Sequence, residues 1–378
     1  MNIASDRKHS QYKICHLTSV HPYDDIRIYV KECATLARAG YETHLVAPDA
    51  PNQVRDHIHL HSVPRSNHNR LQRMTNTVWN VYDQAIKLDA DIYHFHDPEL
   101  IPVGLILKAK GKKVIYDVHE DVPRQILSKS YLPQSCRYLI SKAIENLENF
   151  ASKHFDGIIT ATPFIADRFA KIGGRVVNIN NFPILTELNL PEQNWSHKKQ
   201  AVCYVGGIGF ERGIFEMVAA IDQTEACLLL AGKFMQPAQR DQVIRMSGWT
   251  NVTELGHLDR QQIAQVLAQS MGGLVVLHPL INYLDALPIK MFEYMCAGIP
   301  VIASNFPLWQ QIIEENQCGI CVNGLDPTAI AAAITWILDH PAQADLMGQN
   351  GLRAVQEKYN WGNEAKKLCA FYEQIRSR

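Results

Sequence analysis

Short apolar runs recur along this chain, rich in β-branched and aromatic residues, and stretches of helical periodicity lie between them. In the first half the runs fall at 13–17, 44–47, 92–96, 113–117 and 157–161, and a helical stretch at 30–39 is stopped by Gly40. Buried strands separated by helices give a parallel sheet wound by right-handed crossovers. The pattern pauses at 181–200, where Pro183, Pro191 and a polar stretch at 193–199 read as a linker. It then resumes with strands at 201–205, 227–231, 273–277 and 300–303, and with helices near 215–221, 260–269 and 328–338. The expected architecture is α/β, two parallel-sheet domains facing a central cleft, and such a cleft is the usual place for a ligand.

Composition narrows the function classes. A chain of 378 residues has room for two or three domains, and 47% hydrophobic content supports a core in each. Thirty-seven basic against thirty-eight acidic residues leave no bulk attraction to nucleic acid. No run approaches the roughly 18 apolar residues of a spanning helix, and the first ten residues are too polar for a signal peptide, so a cytoplasmic protein is expected. Cysteines sit inside apolar runs, as at Cys15, Cys203 and Cys227, and read as small hydrophobes rather than disulfides. Cys318 and Cys321 have zinc-like spacing but lack a second pair, so no zinc site is expected.

The chemistry concentrates at 287–304. Pro288 suits a helix start, and Gly298-Ile-Pro300 ends that helix and opens the next strand. Lys290 in the first turn adds a full charge beside unpaired N–H groups and a positive dipole end, a place for phosphate. Glu293 shares the helix face with Lys290, and its carboxylate can accept bonds from ribose hydroxyls. Upstream, the strand 201–205 runs into Gly206-Gly207-Ile-Gly209-Phe-Glu-Arg212-Gly213, which serves equally as a tight connection or as an anion site. In the first half, His96 and Asp97 follow one strand, and Asp117, His119 and Glu120 end or follow another, at the carboxyl ends where open α/β sheets bind ligands. Arg27, in the loop after the first strand, could meet a phosphate or an anionic acceptor, while Asp24 or Asp25 could cap the helix that follows. Basic residues cluster at Arg65, Arg70 and Arg73 and at Lys108, Lys110, Lys112 and Lys113, either as a solvated face or as a surface for anionic lipid.

Taken together, Asp285-x7-Glu293 and Pro288-x-Lys290-x-x-Glu-Tyr-Met-x-Ala-Gly-x-Pro-Val-Ile-Ala-Ser304 resemble the signature of family 4 of the retaining GT-B glycosyltransferases, the glycosyl transferases group 1. That family has Glu where this chain has the shorter Asp285. The resemblance extends to Tyr-Asp-Val-His119-Glu, whose histidine would face the transferred sugar, and to the glycine-rich turn. There Arg212 replaces the family's Lys and Gly207 its Arg, and Lys233 is the candidate to restore the missing charge.

The resemblance implies two Rossmann-like domains: an acceptor-binding domain over 1–182 and a nucleotide-sugar-binding domain over 183–360, with the final helix, 361–378, packed back on the first. Gly206, Gly207, Arg212, Lys233, Leu287, Pro288, Lys290 and Glu293 would hold a UDP- or GDP-linked sugar. His119, Asp285, Arg212 and Lys290 would act in catalysis, with Arg27, His96 and Asp97 on the acceptor side. The expected activity is a retaining, metal-independent hexosyl or N-acetylhexosaminyl transfer to a hydroxyl of a glycan or lipid-linked acceptor in bacterial surface polysaccharide assembly, at the inner face of the plasma membrane. No cofactor is expected. Asp89-Ala90-Asp91 matches the metal-binding Asp-x-Asp of the other major fold, but reads as helix-to-strand turn chemistry. A nucleotide-sugar epimerase of this fold and a non-catalytic two-lobed binding protein are the alternatives.

Overall fold

The computed structural model describes residues 12–65, 73–129, 133–187, 195 and 198–377. The chain forms two units: one runs to Asn181 and takes the chain back from Gly362, and the other is Phe182–Trp361.

The first unit is built on strands β1 (Lys13–Leu17), β2 (Glu42–Pro48), β3 (Gln53–Arg55), β4 (Ile58–Val63), β5 (Ile92–Phe95), β6 (Lys113–Val118), β7 (Gly157–Thr160) and β8 (Val176–Asn178). They pair in the order β3-β4-β2-β1-β5-β6-β7-β8, with only β3 antiparallel among them. The interior strands β1 and β5 are buried almost throughout because helices cover both faces of a parallel sheet. The β3–β4 hairpin escapes sequence patterning. Its turn residues Asp56 and His57 hold φ of 51° and 63°, a two-residue turn normally written with Asn-Gly.

The helix Trp361–Arg376 belongs to this unit. Tyr372 Oη lies 2.8 Å from His94 Nδ1, Glu373 accepts from Tyr41 Oη, and Lys113 Nζ donates to the carbonyls of Ile375 and Arg376. Gly157 makes room for it, since a Cβ there would lie 2.4 Å from the Phe371 ring.

The second unit contains β9 (Ala201–Val205), β10 (Cys227–Ala231), β11 (Val252–Gly256), β12 (Gly272–Val275), β13 (Val301–Ser304) and β14 (Gly319–Val322), all parallel in the order β11-β10-β9-β12-β13-β14. Alternate residues of β9 enter separate cores on the two faces: Ala201, Cys203 and Val205 on one, Val202 and Tyr204 on the other. Both sheets reverse strand order once, between β1 and β5 and between β9 and β12. Such switch points open a crevice at the carboxyl ends of the strands. Among the described residues, no helix is long and apolar enough to cross a membrane.

Candidate functional site

In the second unit, the turn after β9 lies against three neighbours, and its backbone requires glycine at 206 and 213. Gly206 has φ +133°, and a Cβ there would stand 3.2 Å from Lys290 Nζ; a Cβ on Gly207 would stand 3.2 Å from Arg212 Nη1. A Cβ on Gly213 would come 2.0 Å from the Val276 carbonyl, so the turn is pressed onto the end of β12. The turn after β10 joins it: Ile208 N donates to Lys233 O at 2.9 Å, which places the exposed Lys233 beside the glycines.

The loop after β12 supplies the other half of the site. Pro288 is the N-cap of helix Ile289–Cys296 rather than a first-turn residue, with extended ψ of 123°. Lys290 is only partly covered as a residue, but its Nζ is buried and finds no hydrogen-bond partner among the described residues. The ammonium stands 3.6 Å from the centroid of the Tyr204 ring. Burial, and then the neighbouring Arg212, push its pKa well below the ordinary lysine value, with Glu293 pulling the other way. Tyr204 Oη donates to Gly207 O at 2.7 Å, so one side chain supports both the turn and the lysine. Arg212 Nη1 reaches the same carbonyl at 3.4 Å.

Glu293 is not a free carboxylate. Its Oε1 accepts from Arg260 Nη1 at 2.7 Å, and Arg260 Nε also lies 3.0 Å from Glu187. Asp285 lies partly buried in the turn 281–285, and the next residue is pinned, because the buried Trp309 donates from Nε1 to the Ala286 carbonyl at 2.6 Å. Leu287 packs against the core below.

In the first unit the candidate residues form a buried chain. Asp117, at the end of β6, accepts from Arg27 Nη2 at 2.8 Å on Oδ1 and from Arg27 Nε at 3.0 Å on Oδ2. His119 Nε2 lies 2.8 Å and His96 Nδ1 3.1 Å from Oδ2. His96 Nε2 in turn lies 3.0 Å from His16 Nδ1. Burial alone would raise the Asp117 pKa, yet Arg27, His119 and His96 hold it well below the carboxylate range. An ionised Asp117 accepts only, so this pattern assigns the protons that face it: His119 donates from Nε2, His96 donates from Nδ1, and His16 donates to His96. Burial pushes His96 down to about 4 and His16 and His94 well below the usual histidine value, so all three are neutral near pH 7.

The acceptor-side candidates Arg27, His96 and Asp97 are all buried in the first unit. Arg27 is 4% exposed and is the counterion of Asp117, 3.1 Å from Glu32 and donating to the Ile179 carbonyl; the helix it opens is capped by Asp25. His96 is buried behind His119. Asp97 is buried too and braces the loop after β1, accepting from Thr18 Oγ1 and Ser19 N. Sequence reasoning missed Tyr204, Arg260 and Glu32. Each is masked by its element: a strand filler, the first helical residue inside a capping box, and one of several helix charges.

Two donor sets, His16 with Glu32, His94 and His96, and His96 with Asp117 and His119, bring ligand atoms within 4.8 Å of one another. Asp89 and Asp91 do not form such a set: Asp89 ends a helix with φ 49° and pairs with Lys112, while Asp91 accepts from Lys13 N. Four cations of the basic clusters are engaged locally. Lys108 pairs with Asp156, Lys112 with Asp89, Lys113 caps the final helix and Arg65 pairs with Asp49; Arg70 lies outside the described residues.

The fold has close counterparts. Sucrose-phosphate synthase from Thermosynechococcus elongatus superimposes with a TM-score of 0.77 at 20% identity, covering 97% of this chain and 99% of that one. HepE of Anabaena, solved in complex with UDP-glucose, superimposes with a TM-score of 0.72 at 16% identity over 96% and 99% of the two chains. The model of the glycosyl transferases group 1 matches residues 186–354, and that of Glycosyltransferase Family 4 matches residues 28–182.

The chain belongs to the group 1 GT-B glycosyltransferases. Within that family it is 20% identical to a glycogen synthase of Mycobacterium tuberculosis over 62% of this chain, and it spans 58% of that relative's length. It is 23% identical to the D-rhamnosyltransferase WbpZ of Pseudomonas aeruginosa over 71% of this chain and 69% of that protein.

Proposed function

We propose that this GT-B chain is a retaining glycosyltransferase that moves a hexosyl or N-acetylhexosaminyl group from a UDP- or GDP-linked donor to a hydroxyl acceptor. One observation carries the reading: the Lys290 ammonium is buried, unpaired among the described residues, and set between the Tyr204 ring and the Gly206 turn beside Arg212. A cation in that position lacks an anion, and a diphosphate supplies one with the charge and reach to meet both side chains. The printed ligands of the HepE structures, UDP and UDP-glucose, support a nucleotide sugar.

In this reading Lys290, Arg212 and the backbone N–H groups of the glycine turn hold the diphosphate, Lys233 adds charge at its edge, and Glu293 accepts from the ribose. Asp285 accepts from hydroxyls of the sugar. Glycosyl transfer breaks the bond between the anomeric carbon and the diphosphate oxygen and forms one to the acceptor oxygen on the same face. The acceptor proton passes to the departing phosphate, so no protein base is required. Cations already in place at the leaving group lower the barrier without reorganisation, and transfer then needs no metal.

The acceptor is proposed as a lipid-linked or glycan hydroxyl in surface polysaccharide assembly on the inner face of the plasma membrane. A panel of nucleotide sugars, assayed for binding and for slow donor hydrolysis, tests the proposal. Turnover of one of them in excess chelator supports it, and the absence of any binding or turnover removes it.

A further inference from the structure

Two helices of the second unit exchange a charge at their starts. Helix Arg260–Gln269 follows β11 and helix Ile289–Cys296 follows the loop after β12, so both begin at the carboxyl ends of the strands. Their inner sides enter one core, the one that takes Ala201, Cys203 and Val205 of β9. Arg260 reaches from the first helix to the second: its Nη1 donates to Glu293 Oε1 at 2.7 Å, and its Nε lies 3.0 Å from Glu187 Oε1. The backbone from which it extends is fixed as well. Asp259 caps the helix by accepting from Gln262 N at 2.8 Å, and the Gln262 side chain accepts from Asp259 N at 3.0 Å.

The pairing decides what Glu293 can offer a ligand. The terminal torsion of a glutamate is broad, so a carboxylate without an anchor has no fixed lone-pair direction. Glu293 is 8% exposed and is anchored: a planar guanidinium, held on its other edge by Glu187, takes Oε1. Its Oε2 receives no hydrogen bond among the described residues and keeps its lone pairs in a set direction. A carboxylate there repels an anion, so the diphosphate belongs to Lys290, on the same helix face one turn earlier, and to Arg212. The ligand group that suits Glu293 is a neutral donor, and a ribose presents two of them side by side.

We propose that Arg260 is a positioning residue that makes this site specific for ribonucleotides: it orients Glu293 to accept from the 2′ and 3′ hydroxyls, and a nucleotide lacking them is rejected. The assignment rests on the nucleotide-sugar reading and sharpens it from a nucleotide to a ribonucleotide. Arg260 itself touches no ligand and acts through Glu293.

Calorimetric titration of the full chain with UDP and GDP, and with their 2′,3′-dideoxy counterparts, tests it on the wild type, Arg260→Ala and Arg260→Lys, with melting measured for each. The wild type should bind its preferred diphosphate at least about tenfold more tightly than the dideoxy form, the worth of a hydrogen bond to a charged group. Arg260→Ala should lose most of that ratio by weakening the ribonucleotide alone, and Arg260→Lys should restore part of it. An arginine that only supports the fold would lower both affinities together and leave the ratio intact, which overturns the assignment. So does tighter ribonucleotide binding by Arg260→Ala, because Arg260 would then compete with the ligand for Glu293. A wild type that binds a diphosphate and its dideoxy form equally removes this assignment and leaves the nucleotide-sugar reading standing, whereas a wild type that binds neither diphosphate removes both.

Discussion

Lys290 Nζ stands 3.6 Å above the ring of Tyr204, and the phenol of that tyrosine donates to the carbonyl of Gly207 at 2.7 Å. The two sequence motifs of the second unit, separated by about eighty residues of chain, are thereby joined through one aromatic side chain. The arrangement keeps an ammonium out of water without a hydrogen-bond partner among the described residues, a cost that an anionic ligand relieves.

A conservative change at the ring separates its two roles. Tyr204→Phe keeps the platform for Lys290 and removes only the bond to Gly207, so donor affinity should fall a few-fold, by about 1 kcal/mol. Tyr204→Leu removes both and should cost about tenfold more affinity. Calorimetric titration with the preferred nucleotide sugar measures both.

The cations should respond differently to salt. Lys233 is exposed, so Lys233→Ala should reduce donor affinity by about tenfold at low ionic strength and much less near 0.5 M salt. Shielded Lys290 should contribute at both. If Lys233→Ala binds donor as the wild type does at low salt, Lys233 does not restore the charge missing at Gly207.

The buried carboxyls of the first unit should behave as opposites. Burial, and then the charge of Asp117, push the Glu32 pKa well above the carboxylate range, so Glu32 is a neutral acid and Glu32→Gln should change stability by less than about 1 kcal/mol. Asp117→Asn leaves Arg27 buried without its counterion and should cost about 3–5 kcal/mol in chemical denaturation.

Acid should weaken the first unit before its carboxylates titrate. His96 is held near 4, and His16 and His94 also lie well below their unfolded value of about 6.5, so the unfolded chain binds more protons as pH falls below that value. Stability is therefore complete above about pH 6.5 and is lost as pH falls toward 4, at roughly 1.4 kcal/mol per pH unit for each fully titrating histidine. Denaturant midpoints measured from pH 7.5 to 4.5 should decline across that window; a flat profile contradicts the neutral cluster.

Much of this was legible in the sequence, and the exceptions have physical causes. Parallel strands buried on both faces announce themselves as apolar runs, so most strand positions could be anticipated, though not their order in the sheets. The β3–β4 hairpin could not, because Asp56 and His57 make a left-handed turn without glycine. Helix chemistry correctly located Lys290 at a helix start and Gly206 in a turn, but their meeting depends on a crossover and a strand pairing that no local pattern encodes. Arg27 shows where local pattern stops: a loop arginine beside a helix start resembles an anion site, and its partner Asp117, ninety residues on at 2.8 Å, leaves no local signal. Helix Gln134–Ser152 turns large apolar side chains outward, which periodicity alone does not reveal.

The most direct measurement is binding and turnover of a nucleotide-sugar panel by the wild-type chain and by Lys290→Met, with chemical denaturation of both. The account predicts that one nucleotide sugar binds and is turned over by the wild type. Lys290→Met should lose affinity by about thirtyfold or more, near 2 kcal/mol, while remaining at least as stable, because a buried unpaired ammonium has been replaced by an apolar chain of similar length. Equal donor affinity in the two proteins, or no nucleotide sugar bound by either, would contradict it.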